Sequence, residues 1–232
     1  MADLTRKEII KLIALCPEGE NLNLRGVNLN SFIWRLRLHE LFFHKADLRG
    51  AKLKRVDLTK ANLSDADLSG ADLSFATMWE SNLKNANLSN ACLSHTNLGN
   101  TSLQGANLTN ADLRKADLSD ARLNDANLTL AFFKDANLWS ADLSRVNLVQ
   151  ASLRNANLEN ANLSRADLSN ANLAGANLTN AKFYSANLTD ANLRGANLTN
   201  TDFKNAILDG ADFSGAIFKG VNLEGVTGLK KI

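Results

Sequence analysis

One pattern dominates this chain. From Leu36 to Gly225 the residues repeat with a period of five, without a slip. The run opens clearly at Ala46-Asp47-Leu48-Arg49-Gly50 and continues through Ala51-Lys52-Leu53-Lys54-Arg55 and Val56-Asp57-Leu58-Thr59-Lys60. It comprises 38 units. The central position is Leu in 31 of them, Phe in six and Met once, at Met78. Two places earlier, 29 of the 38 are Ala. Asn (16) or Asp (10) sits between these two positions in most units. The last two positions vary and are mostly polar. A repeat this short and this long means a solenoid, in which each unit buries its apolar face against the next.

Period five excludes the ordinary elements. Ala and Leu two apart point to the same side of an extended segment. From Leu to the next Ala is an odd step, which in a straight strand would flip alternate units to the wrong face. In a helix the repeat would drift around the 3.6-residue turn. Both problems vanish if the chain turns a corner in every unit and resets the pleat. Ala and Leu then point inward on every side. Asn or Asp lies outward beside each corner, where a short side chain bonds nearby backbone. The argument admits a coil of three sides or of four.

The repeated A(D/N)LXX unit resembles the signature of the pentapeptide repeat family, over nearly 90% of the chain. The resemblance implies an all-β solenoid: a right-handed quadrilateral β-helix, with four units to the coil. The frame extends upstream through Leu22-Asn23-Leu24, Val27-Asn28-Leu29 and Phe32-Ile33-Trp34, but Leu36 then arrives one residue early. Residues 22–35 therefore read as three more units, the third shortened by one. The expected organisation is a helical cap and linker over 1–21, a β-helix over 22–225 and a tail over 226–232. That is roughly ten coils, a rod of about 45–50 Å at ~4.8 Å per layer.

Open coil ends are unpaired strand edges and must be covered. Thr5-Arg6-Lys7-Glu8 has the form of a capping box. Ile9, Ile10, Leu12, Ile13 and Leu15 follow, and Pro17 with Gly19 stops a helix. The spacing predicts an α-helical cap from about Leu4 to Leu15. No helix is evident at the other end. Ile207 and Ile217 replace Asn or Asp there, which predicts packing under the tail or, failing that, a dimer contact at the C-terminal end.

Chemistry is scarce. The chain holds one Pro, one Tyr, three His and two Cys. His39, His44 and His95 do not converge at metal-ligand spacing. Cys92 stands at an Asn position as a small substitute. The Asp residues are spread singly along rows of Asn and read as corner and ladder residues, whereas acid–base catalysis needs paired or perturbed carboxylates. No glycine-rich phosphate loop opens a helix. The expectation is a protein with no enzymatic activity, no metal and no cofactor. No apolar run approaches the length that a membrane helix needs, so no span is expected. The first residues resemble no secretory leader, and a cytoplasmic protein is expected.

Two outward features remain. Trp79 and Trp139 share a column, three coils apart, with Phe75 and Phe132 on the adjoining side. Exposed aromatics on a polar rod mark a candidate partner-binding surface. Residues 31–60 hold Arg35, Arg37, Lys45, Arg49, Lys52, Lys54, Arg55 and Lys60 against Glu40, Asp47 and Asp57. This basic end reads as a collar around the rod and not as one stripe. Nucleic acid is therefore not the expected partner, and an unidentified protein is. The leading reading is a rigid scaffold for protein–protein interaction. The resemblance supplies an alternative, because some members bind DNA gyrase as mimics of DNA. A mimic should be strongly acidic, and this chain carries +2.

Overall fold

In the computed structural model the described residues are 6–15, 22–29 and 38–229. From Leu38 onward every unit adopts the same course: an extended segment, then a tight turn. The Ala N–H of each unit closes the turn by donating to the preceding Leu carbonyl, as from Ala51 to Leu48 at 3.0 Å. The second turn residue has positive φ throughout, for example +57° at Asp65 and +58° at Asn90. Such a hydrogen bond with positive φ at the third residue is the signature of a type II turn. Asn, Asp and Gly tolerate that conformation, which explains their frequency there. Leu130 and Phe75 adopt it too, at φ 60°, where a bulky side chain is disfavoured.

Each outward Asn or Asp forms a parallel bridge with its counterpart four units on, as Asn62 does with Asn82 and Asn82 with Ser102. Four units thus make one coil. The first side carries Leu38, Leu58 and Met78. The second carries Phe43, Leu63 and Leu83, the third Leu48, Leu68 and Leu88, and the fourth Leu53, Leu73 and Leu93. Leu63 N–H donates to the Asn82 carbonyl at 2.7 Å and Asn82 N–H to the Ala61 carbonyl at 2.9 Å. Backbone groups are satisfied between layers, so no wide sheet is needed.

The outward residue serves the corner from the middle of its side. Its Oδ1 accepts from the N–H two places on, as Asp67 does from Ser69 at 3.0 Å. The Asn amide also reaches along the rod: Nδ2 of Asn157 donates to Asn137 at 3.0 Å, and that of Asn177 to Asn157 at 3.1 Å. The Asp and Asn columns are thereby corner and ladder residues.

The interior is one continuous core of Ala, Leu and Phe. Where a hydroxyl replaces Ala, it is satisfied internally. Thr96, Thr101 and Thr201 are buried, and each donates to a carbonyl in the coil before it, at 2.8–2.9 Å. Near the C-terminal end the core becomes aromatic: Phe183 stacks on Phe203 at 4.9 Å, and Phe213 meets Phe203 edge-on.

Both ends depart from the expectation. Asn23 pairs with Asp47 and Asn28 with Lys52, a longer offset than that of the later coils. That offset equals five units less one residue, which agrees with one shortened unit but sets the first pairs five units apart, not four. The third of those units, Phe32-Ile33-Trp34, lies outside the described residues. One α-helix, α1 (Arg6–Leu15), precedes the coils. Its Ile9 is fully buried in the core and Ile13 packs against it, while Leu15 is exposed. Residues 1–5, which include the Thr5 capping position, lie outside the described residues.

At the other end, Ile207 and Ile217 are 41% and 54% exposed, so the described tail residues cover neither. They stand on the third and first sides, on opposite faces. Thr227 instead bridges to Ile207 through the backbone, and Val226 and Leu229 pack against the core. Among the described residues no helix is long and apolar enough to cross a membrane.

Candidate functional site: outward aromatics and a charged edge

Phe75, Trp79, Phe132 and Trp139 are all exposed, between 37% and 44%. Their positions follow from the register. Phe75 is a turn residue at the edge between the fourth and first sides. Phe132 is an outward residue in the middle of the fourth side. Trp79 and Trp139 lie at the next edge, between the first and second sides. No ring contact joins any two of the four among the described residues. The two phenylalanines, in different columns, and the tryptophan edge are separated by the polar first side.

Each aromatic makes its own local arrangement. The Phe75 ring stacks on His95, with centroids 4.6 Å apart and planes within 5°. Lys54 Nζ and the Arg55 guanidinium sit 5.6 and 5.7 Å from its centroid, within cation–π range. The Trp79 indole lies across Gly99 in the next coil. A Cβ added at Gly99 would stand 3.1 Å from the Trp79 Cδ1, so the missing side chain makes room for the ring. Phe132 lines a hollow of about 330 Å³ with Asn90, Cys92, Asp112 and Arg114.

The six described members of the basic collar are distributed around the rod. Lys45, Arg49 and Lys60 occupy three different edges, Lys52 the middle of the fourth side, and Lys54 and Arg55 the fourth-to-first edge. Arg49 is held by Asp47 at 2.8 Å and Lys60 by Glu80 at 3.6 Å. Arg35 and Arg37 lie outside the described residues.

A longer charged feature was hidden in the sequence. The fourth-to-first edge continues past Lys54 and Arg55 with Arg114, Lys115, Lys134 and Arg154. All fall at the two turn positions of fourth-side units, so they share two adjacent columns. A scan along consecutive residues cannot find them. Summing charge once per coil, at every fourth unit, would have done so.

The ion pairs elsewhere show what ordinary neighbours do. On the opposite edge, between the second and third sides, Arg145 donates to Asp125 in the coil before it at 2.6 and 2.7 Å. That guanidinium, aided by Asn124, lowers the Asp125 carboxyl to about 2. Asp112 is likewise lowered, chiefly by its hydrogen bond to Arg114 and against the effect of burial. These carboxyls titrate lower in the folded state than in the unfolded chain. Their stabilisation is complete above the ordinary carboxylate range, near 4, and is lost as pH falls toward about 2. A melting midpoint flat from neutral pH to about 4 and falling below it is expected, with a shallower fall in Arg145→Gln. Identical acid profiles for the two proteins would remove Asp125 from the account.

No metal-ligating cluster occurs among the described residues. His44 Nδ1 lies 3.0 Å from the Ser64 carbonyl and 3.5 Å from Asp65. Cys92 is half-buried, with Sγ 3.5 Å from the Ser94 hydroxyl. Cys16 lies outside the described residues.

Comparison with known proteins agrees with this architecture. No curated protein sequence matches the chain significantly. Among solved structures, the chain is 31% identical to HetL, a pentapeptide repeat protein involved in heterocyst differentiation regulation from the cyanobacterium Nostoc sp. strain PCC 7120. The match covers 97% of this chain and 99% of HetL, with a TM-score of 0.69. A trypsin-treated form of QnrB1, a plasmid-mediated fluoroquinolone resistance protein, is 20% identical over 82% of this chain and 91% of its own, with a TM-score of 0.65. That level of identity shows the shared fold alone. The family model for pentapeptide repeats matches in eight copies, over stretches that include 37–65, 66–105, 131–170 and 186–225. With its five-residue units stacked four to a layer as a right-handed β-helix, the chain belongs to the pentapeptide repeat family.

Proposed function

We propose that the protein is a non-enzymatic rigid scaffold that binds a protein partner through outward positions of its coils. The rod has about ten layers and is closed at its N-terminal end by α1. The observation that carries the reading is the set of large aromatics left exposed on a surface built mostly of polar and charged residues. Trp79 and Trp139 are the anchors. They stand on one edge, three layers or ~14 Å apart, a span one partner segment can bridge. Tryptophan contributes more binding energy than most residues when an interface covers it.

The coil end around Ile217 leaves room for a monomer or an end-to-end dimer, and sedimentation at high concentration distinguishes the two. A DNA-mimicking role on gyrase is the alternative that the family resemblance supplies. It requires an acidic surface, and the net charge of +2 does not supply one.

Affinity capture from the native cell tests the scaffold reading, with wild type compared against Trp79→Ser/Trp139→Ser. Partners retained by wild type and lost by the variant are expected. An identical partner set from both would sink the tryptophan site.

A further inference from the structure

We infer that the edge between the fourth and first sides is a docking strip for an extended acidic polypeptide segment. The inference rests on the reading of the rod as an interaction scaffold, but it concerns a different edge from the two tryptophans.

The first argument is charge. Arg114, Lys134 and Arg154 follow one another in successive layers of a single column, so their backbones lie ~4.8 Å apart. Lys115 stands beside Arg114. Arg114 is held by Asp112, at 2.8 and 2.7 Å. Lys115, Lys134 and Arg154 form no ion pair among the described residues, and Asp135 is the one acid at the turn positions between Lys54 and Asn155. Some cations of the rod face an acid about one coil away, as Arg145 faces Asp125, Lys204 faces Glu224 and, further along this same column, Arg194 faces Asp212. Like charges stacked in successive layers repel one another. An acidic ligand relieves that repulsion at Lys115, Lys134 and Arg154, with which no carboxylate among the described residues forms an ion pair.

The second argument is shape. Two hollows lie side by side on this strip and share Arg114. One, of about 330 Å³, is walled by Phe132 and Cys92. The other, of about 290 Å³, is walled by His95, Lys115, Lys134 and Asp135. An apolar side chain fits the first while carboxylates meet the cations of the second. From Lys54 to Arg154 is five layers, or ~24 Å, the reach of about seven or eight extended residues.

The third argument separates protein from nucleic acid. A single-stranded nucleic acid is held by bases stacked on open aromatic faces. The Phe75 ring is already stacked on His95 and flanked by Lys54 and Arg55. The strip is also only two adjacent columns wide and runs along the rod axis, whereas the phosphates of a duplex strand coil away from such a line. An extended acidic peptide with one apolar residue satisfies both the cations and the Phe132 hollow.

Fluorescence anisotropy with the intact chain tests this. The probe is a labelled octapeptide of glutamates with one central leucine. Comparators are the same peptide with serine for leucine, an oligothymidylate and a short DNA duplex. Saturable binding of the leucine octapeptide is expected, weakening as salt shortens the Debye length. Lys134→Glu/Arg154→Glu should raise its Kd at least about tenfold. Lys84→Glu/Arg165→Glu, on the opposite edge, should leave it within about twofold, as should Trp79→Ser/Trp139→Ser. Phe132→Ser should weaken the leucine peptide about three- to tenfold and the serine peptide hardly at all. An equal loss from reversal on either edge would reduce the strip to diffuse charge and overturn the inference. Tighter binding of the oligothymidylate or the duplex than of the octapeptide would overturn it in favour of nucleic acid. Because the tryptophan variant retains this edge, failure in the capture experiment and failure here are distinguishable.

Discussion

Ala111→Leu should lower the melting midpoint by about 6–12 °C, the largest loss expected from any single added side chain in the central coils. Ala111 is fully buried. Its N–H closes a turn on the Leu108 carbonyl at 3.0 Å, and its carbonyl accepts from Phe132 in the next coil at 2.9 Å. Both backbone groups are tied, so the segment cannot slide outward to admit a larger side chain. Overpacking ordinarily costs about 1–3 kcal/mol, and a tethered corner places this site at or above the upper figure. The outward control is Ser144→Leu, at a half-buried turn position, which should stay within about 0.5 kcal/mol. Thermal denaturation followed by circular dichroism reads both. A midpoint for Ala111→Leu within about 2 °C of wild type would show that the coil widens freely and would sink the account of the Ala column.

Phe132 and Phe133 make the second large test, because they are chain neighbours of one type with opposite fates. Phe133 is fully buried and Phe132 is 44% exposed. The backbone fixes the alternation. The Phe132 carbonyl accepts from Leu113 at 2.7 Å, and the Phe133 N–H donates to Ser152 at 2.7 Å, so the ladder holds both residues in register. Phe133→Ala leaves a cavity whose walls belong to hydrogen-bonded layers above and below and cannot collapse into it. The expected cost is about 3–5 kcal/mol. Phe132→Ala should cost about 0.5 kcal/mol or less. Urea unfolding of the two variants makes the comparison. Because a solenoid is stabilised by nearest-neighbour layers, a weakened central coil should also broaden the transition. Similar losses from both variants would mean that Phe132 is structural, which would remove the hollow it lines from consideration as a docking site.

What could be read directly from the chain was the part of the structure with a local cause. The Ala and Leu positions were legible because each unit turns its own corner, closed by a hydrogen bond between near neighbours such as Ala51 and Leu48. The role of Asn and Asp was legible for the same reason, since their acceptor bond reaches only two places on. The first coil was less legible. A one-residue slip at Leu36 reads as a deletion, yet Asn23 pairs with Asp47, further along than a regular coil would place its partner. Nothing in the local pattern states which later unit an early one will stack on. The isoleucines near the C-terminus misled in a related way. Apolar residues at outward positions suggested cover from the tail, but Ile207 and Ile217 fall on opposite faces and no single short tail covers both.

The candidate surface shows the same division more sharply. The four aromatics were correctly read as outward. Their partners were not visible, because His95 meets Phe75, and Gly99 meets the Trp79 ring, only across one full coil of chain. The cation strip was hidden for the same reason, while the basic collar stood out because its members are close in sequence.

The interior was therefore written in the chain itself: which residues are buried, where each corner falls and why the residue types are so few. The five-residue period is a local rule, enforced unit by unit through turn geometry and side-chain size. Which outward residues become neighbours was settled only when the layers stacked. That relation is set by hydrogen bonds between one coil and the next. It turned scattered lysines and arginines into two adjacent columns and set two tryptophans on a different edge from Phe75. The stacking acts on backbone groups that every residue shares, so it leaves no mark in the identity of the side chains it brings together.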